Sequence, residues 1–168
     1  MQDTAGALGA FTLARTFDAP RERVWKAFAE ADRLAQWWGP KGFTLSVASF
    51  DLQPGGGFVY SMSVGPQVMW GRFVYREIDR PERIVFVNGF SDAAGGLTRA
   101  PFNPAWPLEV LNSWRFTEEG GKTTISMRGD PVNASDAECA VFIASFDSMR
   151  MGFGGTFDQL QDYLRKSD

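Results

Sequence analysis

The sequence contains no histidine. Imidazole is the side chain that titrates near neutral pH and the commonest ligand of zinc and iron, so Ser-His and Cys-His nucleophile pairs and the usual metal sets are excluded. Any catalysis would have to run on carboxylates, Tyr, Lys, Arg or backbone groups, and the expectation is no catalytic residue, no metal and no cofactor. Cysteine is almost absent: Cys139 stands alone, so no intramolecular disulfide can form and a reducing, cytoplasmic setting is expected. No run approaches the roughly 18 apolar residues of a membrane helix. Met1 to Ala10 also lacks the basic and apolar regions of a signal peptide. Positive charge is not in excess either. The net charge is −3, which offers no electrostatic case for nucleic acid or an anionic membrane as partner.

What the chain has is aromatic area. Hydrophobic residues make up 44% of its 168 positions and aromatics 14%, with 15 Phe and 6 Trp. That length fits one domain with a substantial core, read as 1–168 with an N-terminal extension at 1–9. Aromatic area on this scale must be buried, line a cavity or sit at an interface.

Phe11 to Phe17 alternates apolar and polar residues, the mark of a strand. Asp18-Ala19-Pro20 then reads as a helix start, with an acceptor side chain ahead of a proline, and Val24, Trp25 and Phe28 form that helix's buried stripe. A second short helix, about Asp32 to Trp38, stops at Gly39-Pro40. From Phe43 to Arg128 the pattern is of strands. Phe43, Leu45 and Val47 share one parity and Phe50 and Leu52 the other, which predicts a bulge between them. Phe58, Tyr60 and Met62 share a face, Val68 to Ile78 is a long strand, and Ile84 to Val87 is apolar throughout, which predicts burial on both faces. Residues 91–107 form a long loop without usable period, and loops of this length are usually functional or mobile. Leu108, Val110, Trp114 and Phe116 then share parity, and Thr123, Ile125 and Met127 complete the sheet after a Gly-Gly turn.

The final segment opens on a capping box, Ser135-Asp-Ala-Glu138. Phe142, Phe146, Met149, Phe153, Phe157, Leu160 and Leu164 follow at helical spacing. One helix from about Asp136 to Lys166 is expected, roughly 45 Å long at 1.5 Å per residue. Gly152, Gly154 and Gly155 interrupt its middle, and close backbone packing or a bend is the expected reason.

The order of strand, two short helices, six strands and a long helix resembles the START-like (SRPBCC) superfamily. Within it the chain is similar to bacterial proteins related to the C-terminal domain of the activator of heat-shock protein 90 ATPase. The matching stretches are Arg15-Thr-Phe-Asp-Ala-Pro20 before Val24-Trp25, Ala35-Gln-Trp-Trp-Gly-Pro40 and Pro54-Gly-Gly-Gly-Phe58. To these are added Gly71 ahead of Glu77-Ile-Asp-Arg-Pro-Glu-Arg83, and Phe116-Thr-Glu-Glu-Gly-Gly-Lys-Thr123. The resemblance covers about residues 10 to 165. It departs at the middle of the last helix, where the family often carries Trp and this chain has Phe153. It implies an α+β helix-grip fold, a curved antiparallel sheet of six to seven strands around a long C-terminal helix, with a cavity between them. It carries over no catalytic residue.

Candidate ligand-binding residues are Trp37, Phe43, Tyr60, Met62, Met69, Phe73, Trp106, Trp114, Met127, Met149 and Phe153. The methionines are adaptable fillers and the rings apolar walls, the composition of a small-molecule site; each could equally be plain core. Trp37 is read as inward-facing and Trp38 as lying at the rim or an interface, its indole N–H needing a partner. Trp106 is either a lid or a loop anchor. Arg72, Arg115 and Arg128 fall on outward parity, while Asp51, Glu77 and Asn112 are undecided. The favoured expectation is non-catalytic binding of a small hydrophobic molecule, aromatic or lipid-like. A polyketide cyclase or aromatase using Tyr60, Tyr75 or a carboxylate is the second expectation, and a co-chaperone that stimulates a heat-shock ATPase the third. A homodimer is also compatible with the exposed sheet edges.

Overall fold

The computed structural model describes residues 10–166; the extension at 1–9 lies outside the described residues. Seven strands form one antiparallel sheet: β1 (Phe11–Phe17), β2 (Thr44–Phe50), β3 (Gly57–Val64), β4 (Gln67–Asp79), β5 (Arg83–Ser91), β6 (Val110–Glu119) and β7 (Lys122–Pro131). Their spatial order is β1-β7-β6-β5-β4-β3-β2, so the first two strands in sequence are the two sheet edges. The bulge predicted in β2 is present, as a register shift between Val47 and Ser49. Ile84 to Val87 are all buried, and the loop after β5 crosses the outer face just beyond them, over Gly89. Arg72 on β4 donates to the carbonyl of Gly95 in that loop at 3.0 Å.

Helix α1 (Arg21–Ala29) follows β1 and buries Val24, Trp25, Ala27 and Phe28. Asp18 does not cap it. Pro20, in extended conformation, is the N-cap, and its ring cannot bond the free amides. Glu118 on β6 does so instead, accepting from the Arg21 amide at 3.0 Å. The entry turn is tied to the sheet from the other side, where the buried Thr123 hydroxyl donates to Ala19 O at 2.8 Å. Helix α2 (Ala31–Leu34) is a single turn, shorter than the stretch to Trp38 that the sequence predicts. The chain leaves it through turns to Gly39 at φ +104°. The free carbonyls of this exit need donors, and the last helix supplies them. Gln159 reaches Trp37 O and Gly39 O at 3.1 and 2.8 Å, and Thr156 reaches Gly39 O at 3.0 Å.

The C-terminal segment is two helices, α3 (Asp136–Ala144) and α4 (Phe146–Lys166), not one. The capping box is formed: Ser135 Oγ accepts from the Glu138 amide at 3.1 Å, and Glu138 Oε1 accepts from the Ser135 amide at 2.9 Å. The break falls at Ser145, whose φ, ψ of −95°, 3° leave the helix. Its hydroxyl bonds back to Val141 O at 2.8 Å, a local bond that competes with the helical ladder. Gly152, Gly154 and Gly155 stay inside α4. A Cβ at any of them would meet nothing within 4 Å, so close packing is not their reason and nothing in the structure requires them.

The predicted apolar stripe faces the sheet, with Phe142, Phe157 and Leu160 fully enclosed and Leu164 buried. Each such side chain contributes about 1.5–3 kcal/mol through burial. Arg15 on β1 fixes the rotation of α4, bonding Asp158 at 2.6 Å, Gln161 at 2.8 Å and Gly154 O at 3.3 Å.

Candidate functional site

Near the α3/α4 break the helices and sheet separate and leave a cavity of about 410 Å³, within the range of small-molecule sites. Each strand except the edge strand β2 contributes to its floor. Phe11, Met127 and Gly129 come from β1 and β7, Val110 and Asn112 from β6, Asn88 and Gly89 from β5, Gly71 from β4, and Tyr60 and Met62 from β3. The roof is Phe142, Ser145, Ser148, Met149 and Phe153. Phe90, Phe102 and Trp106 complete the wall. Phe102 is 63% exposed, which places the mouth at the 91–107 loop. Trp106 bridges Phe102 and Phe142, with ring centroids 5.6 and 5.4 Å away.

Of the sequence-predicted residues, the structure brings Tyr60, Met62, Trp106, Met127, Met149 and Phe153 together on this lining. It places five elsewhere. Trp37 is 1% exposed, edge-on to Phe28 at 4.7 Å, and its indole donates to Ala27 O at 2.9 Å; it is glue between the short helices. Trp114 sits in solid packing among Phe28, Trp38, Phe86, Phe153 and Phe157. Phe73 is stacked on Phe86 at 4.2 Å. Met69 and Phe43 pack half-buried at the core margin, beyond the point where the cavity ends at Met62, the cross-strand partner of Met69.

Trp38, read as a rim residue, is half-buried, and its indole N–H faces the Tyr60 hydroxyl. Trp38 also borders a second cleft of about 200 Å³ with Gly39, Gly152 and Thr156. The two spaces share Tyr60, Met62, Met149 and Phe153 as their common wall. Burial pushes the Tyr60 hydroxyl up to about 12 despite the indole, which pulls the other way. Burial likewise raises Tyr75, with Tyr60 adding to the effect. Both are neutral donors at physiological pH.

The sequence left Asn112 open and passed over Asn88. Both line the cavity, and Asn112 Nδ2 donates to Asn88 Oδ1 at 2.6 Å. A signal was present: Asn88 continues the parity of Ile84 and Phe86, and Asn112 shares that of Val110 and Trp114, so both are polar residues on buried faces. The aromatic wall residues Phe11, Phe90, Phe102 and Phe142 were also missed as lining, because strand parity and helix stripe place a ring inward without saying whether it meets atoms or space. Arg72, Arg115 and Arg128 lie off the lining. Arg72 pairs with Glu109 at 3.4 Å and Arg128 with Asp130 at 3.0 Å, while Arg115 is exposed. Asp51 and Glu77 are exposed too. No charged side chain lines the cavity. Among the described residues no group of three or more Cys, Asp or Glu could hold a metal ion. No helix among them is long and apolar enough to cross a membrane.

The family described as Activator of Hsp90 ATPase homolog 1-like protein matches residues 18–165. No curated protein matches the chain in sequence. Solved structures do. A Mycobacterium smegmatis protein is 25% identical, with 97% of this chain and 95% of that one covered and a TM-score of 0.77. The AHSA1 protein of Silicibacter pomeroyi is 18% identical over 93% and 97%, at 0.69. DynU16, from the dynemicin biosynthetic locus, is 18% identical over 94% of this chain and 47% of its own, at 0.64. At that identity the last two show a shared fold.

Proposed function

The chain belongs to the Activator of Hsp90 ATPase homolog 1-like family, and on that premise we propose that it binds a small hydrophobic molecule, aromatic or lipid-like, between the sheet and the C-terminal helices, without turning it over. The observation that carries this reading is the cavity itself: about 410 Å³, walled by Phe, Trp and Met side chains, with neutral polar groups at a few points. Such a wall releases water easily and rewards an apolar occupant. Native mass spectrometry of gently purified protein tests it directly. A stoichiometric apolar adduct, identified after denaturing extraction, is the expected result. Failure of the protein to retain or take up any apolar compound from a diverse panel would overturn the reading.

A cyclase-like enzyme is the second reading, supported by the Tyr60 hydroxyl on the lining and by the fold shared with a protein of the dynemicin biosynthetic locus. Proton transfer works best when the catalytic pKa lies near the working pH. Tyr60, at about 12, is poised to donate a hydrogen bond rather than to exchange a proton, and no carboxylate shares its cavity. Binding without turnover is therefore favoured. If Tyr60→Phe abolished a measured cyclisation while ligand affinity held, the enzyme reading would replace it. The family's description also names an ATPase activator, and stimulation of a purified heat-shock ATPase by this chain would establish that third role.

A further inference from the structure

The polar groups of the cavity are set so as to select among hydrophobic ligands, an inference that rests on the ligand-binding reading above. Asn112 is 6% exposed, and its Nδ2 donates to both Asn88 Oδ1 at 2.6 Å and Val110 O at 3.3 Å. A backbone carbonyl can only accept, so Val110 fixes which way the Asn112 amide points. Both Asn112 amide hydrogens are thereby spent. What remains is Asn112 Oδ1 as an acceptor and Asn88 Nδ2 as a donor, neither with a protein partner among the described residues, on adjacent strands of the cavity wall. Tyr60, also on the lining, adds a second donor, its hydroxyl proton having no protein acceptor among the described residues. Ser145 is already committed to Val141 O, and Ser148 is exposed.

These groups are all uncharged, and an ion enclosed here would meet no countercharge on the lining. Enclosing an unpaired carboxylate costs far more than a neutral hydroxyl that finds its partners. We propose that the cavity selects an uncharged aromatic ligand with a hydroxyl or carbonyl at its ring edge, read by the Asn88–Asn112 amide pair. A phenolic O–H would donate to Asn112 Oδ1 while its oxygen accepts from Asn88 Nδ2. The rings of Phe11, Trp106, Phe142 and Phe153 hold the hydrocarbon part. Asn88, half-buried, and Asn112, buried, are then specificity residues, polar groups that an apolar or anionic competitor leaves unsatisfied.

The test is equilibrium binding of naphthalene, 2-naphthol and 2-naphthoate at pH 7.5, followed by quenching of tryptophan fluorescence. The wild type is expected to bind 2-naphthol at least about tenfold tighter than naphthalene, one hydrogen-bonding contribution, and about a hundredfold tighter than 2-naphthoate. Asn112→Leu should erase the preference for 2-naphthol over naphthalene. Asn88→Ala, at a half-buried position, should reduce it severalfold and serves even if the Leu variant does not fold. Equal wild-type affinity for 2-naphthol and naphthalene, tight binding of 2-naphthoate, or an unchanged preference in Asn88→Ala overturns the inference and leaves the hydrophobic-ligand reading intact. Binding of none of the three compounds also overturns the inference, whereas the hydrophobic-ligand reading falls only if the native-mass and panel experiment fails too.

Discussion

The hydroxyl of Tyr60 lies directly over the α-carbon of Gly71: a Cβ added at position 71 would fall 2.5 Å from Tyr60 Oη and 2.6 Å from its Cζ. The two residues are cross-strand partners in β3 and β4, and only glycine leaves the space in which the ring lies against Phe58 at 4.6 Å. Gly71→Ala should therefore push the ring off this position and cost about 1–3 kcal/mol, as overpacking of a core does. Tyr60→Ala in the same chain should recover part of that loss, because the clash disappears with the ring. Urea denaturation of both single variants and the double variant measures the coupling; simple additivity would mean that the two side chains do not compete for the same space.

Tyr60 also makes stability depend on alkaline pH. Its folded-state pKa of about 12 stands above the unfolded value near 10, so the native state holds its proton more tightly. The contribution is complete below pH 10 and is lost as pH rises towards 12, about 2–3 kcal/mol over that interval. Tyr75 is shifted in the same direction by burial and deepens the fall. Denaturation midpoints at pH 8, 10 and 11 should drop in that order, and tyrosinate absorbance near 295 nm should appear later in the folded protein than in urea. A shallower profile for Tyr60→Phe over the same interval, with the fall due to Tyr75 remaining, would assign the difference to Tyr60.

Ser135 and Glu138 close the start of α3, and Glu138 also pairs with Arg99 from the loop that carries Trp106. Ser135→Ala should cost about 1 kcal/mol through the lost cap, read as a lower thermal midpoint. The Ser135 backbone amide and then Arg99 hold the Glu138 carboxyl below its ordinary range. Its contribution is therefore present above the unfolded carboxylate pKa and is lost as pH falls through the lower folded value. The Arg99→Ala variant should show a weaker acid dependence than the wild type.

Gly154 and Gly155 should be improvable. They occupy the interior of α4 at ordinary helical dihedrals, with open space where a Cβ would go. Gly154→Ala and Gly155→Ala should each stabilise the protein by about 0.5–1 kcal/mol, because alanine loses less backbone entropy in a helix. Thermal melts of the two variants check this, and a lower melting temperature in either would show that α4 needs to bend there.

Local rules carried the reading of the elements. Alternation placed β1 at Phe11–Phe17, Ser135 and Glu138 announced a cap, and the parity change after Val47 announced the bulge. Each depends on residues within one strand or one turn of each other. The break at Ser145 was not legible because the apolar stripe runs through it without a change of spacing: Phe142 and Phe146 sit on either side as a helix would place them, and their rings pack edge-to-face at 5.6 Å. Trp37 turns inward as its position predicts, but that it stays off the cavity was equally hidden. Only the packing of α1 against the α2 exit gave its indole Ala27 O as a partner.

The sequence alone determined which side chains turn inward, the order in which strands and helices follow, and the absence of imidazole and disulfide chemistry. These depend on composition and on periods of two and 3.6 residues. Tertiary structure decided which inward side chains border space. Phe73 and Met62 share a sheet face, yet Phe73 stacks on Phe86 and Met62 lines the cavity, because the sheet and helices part on one side and close on the other. It also decided that Asn88 and Asn112, 24 residues apart, meet. That contact depends on the register of β5 against β6, set by the whole sheet and by no residue near either asparagine in the chain.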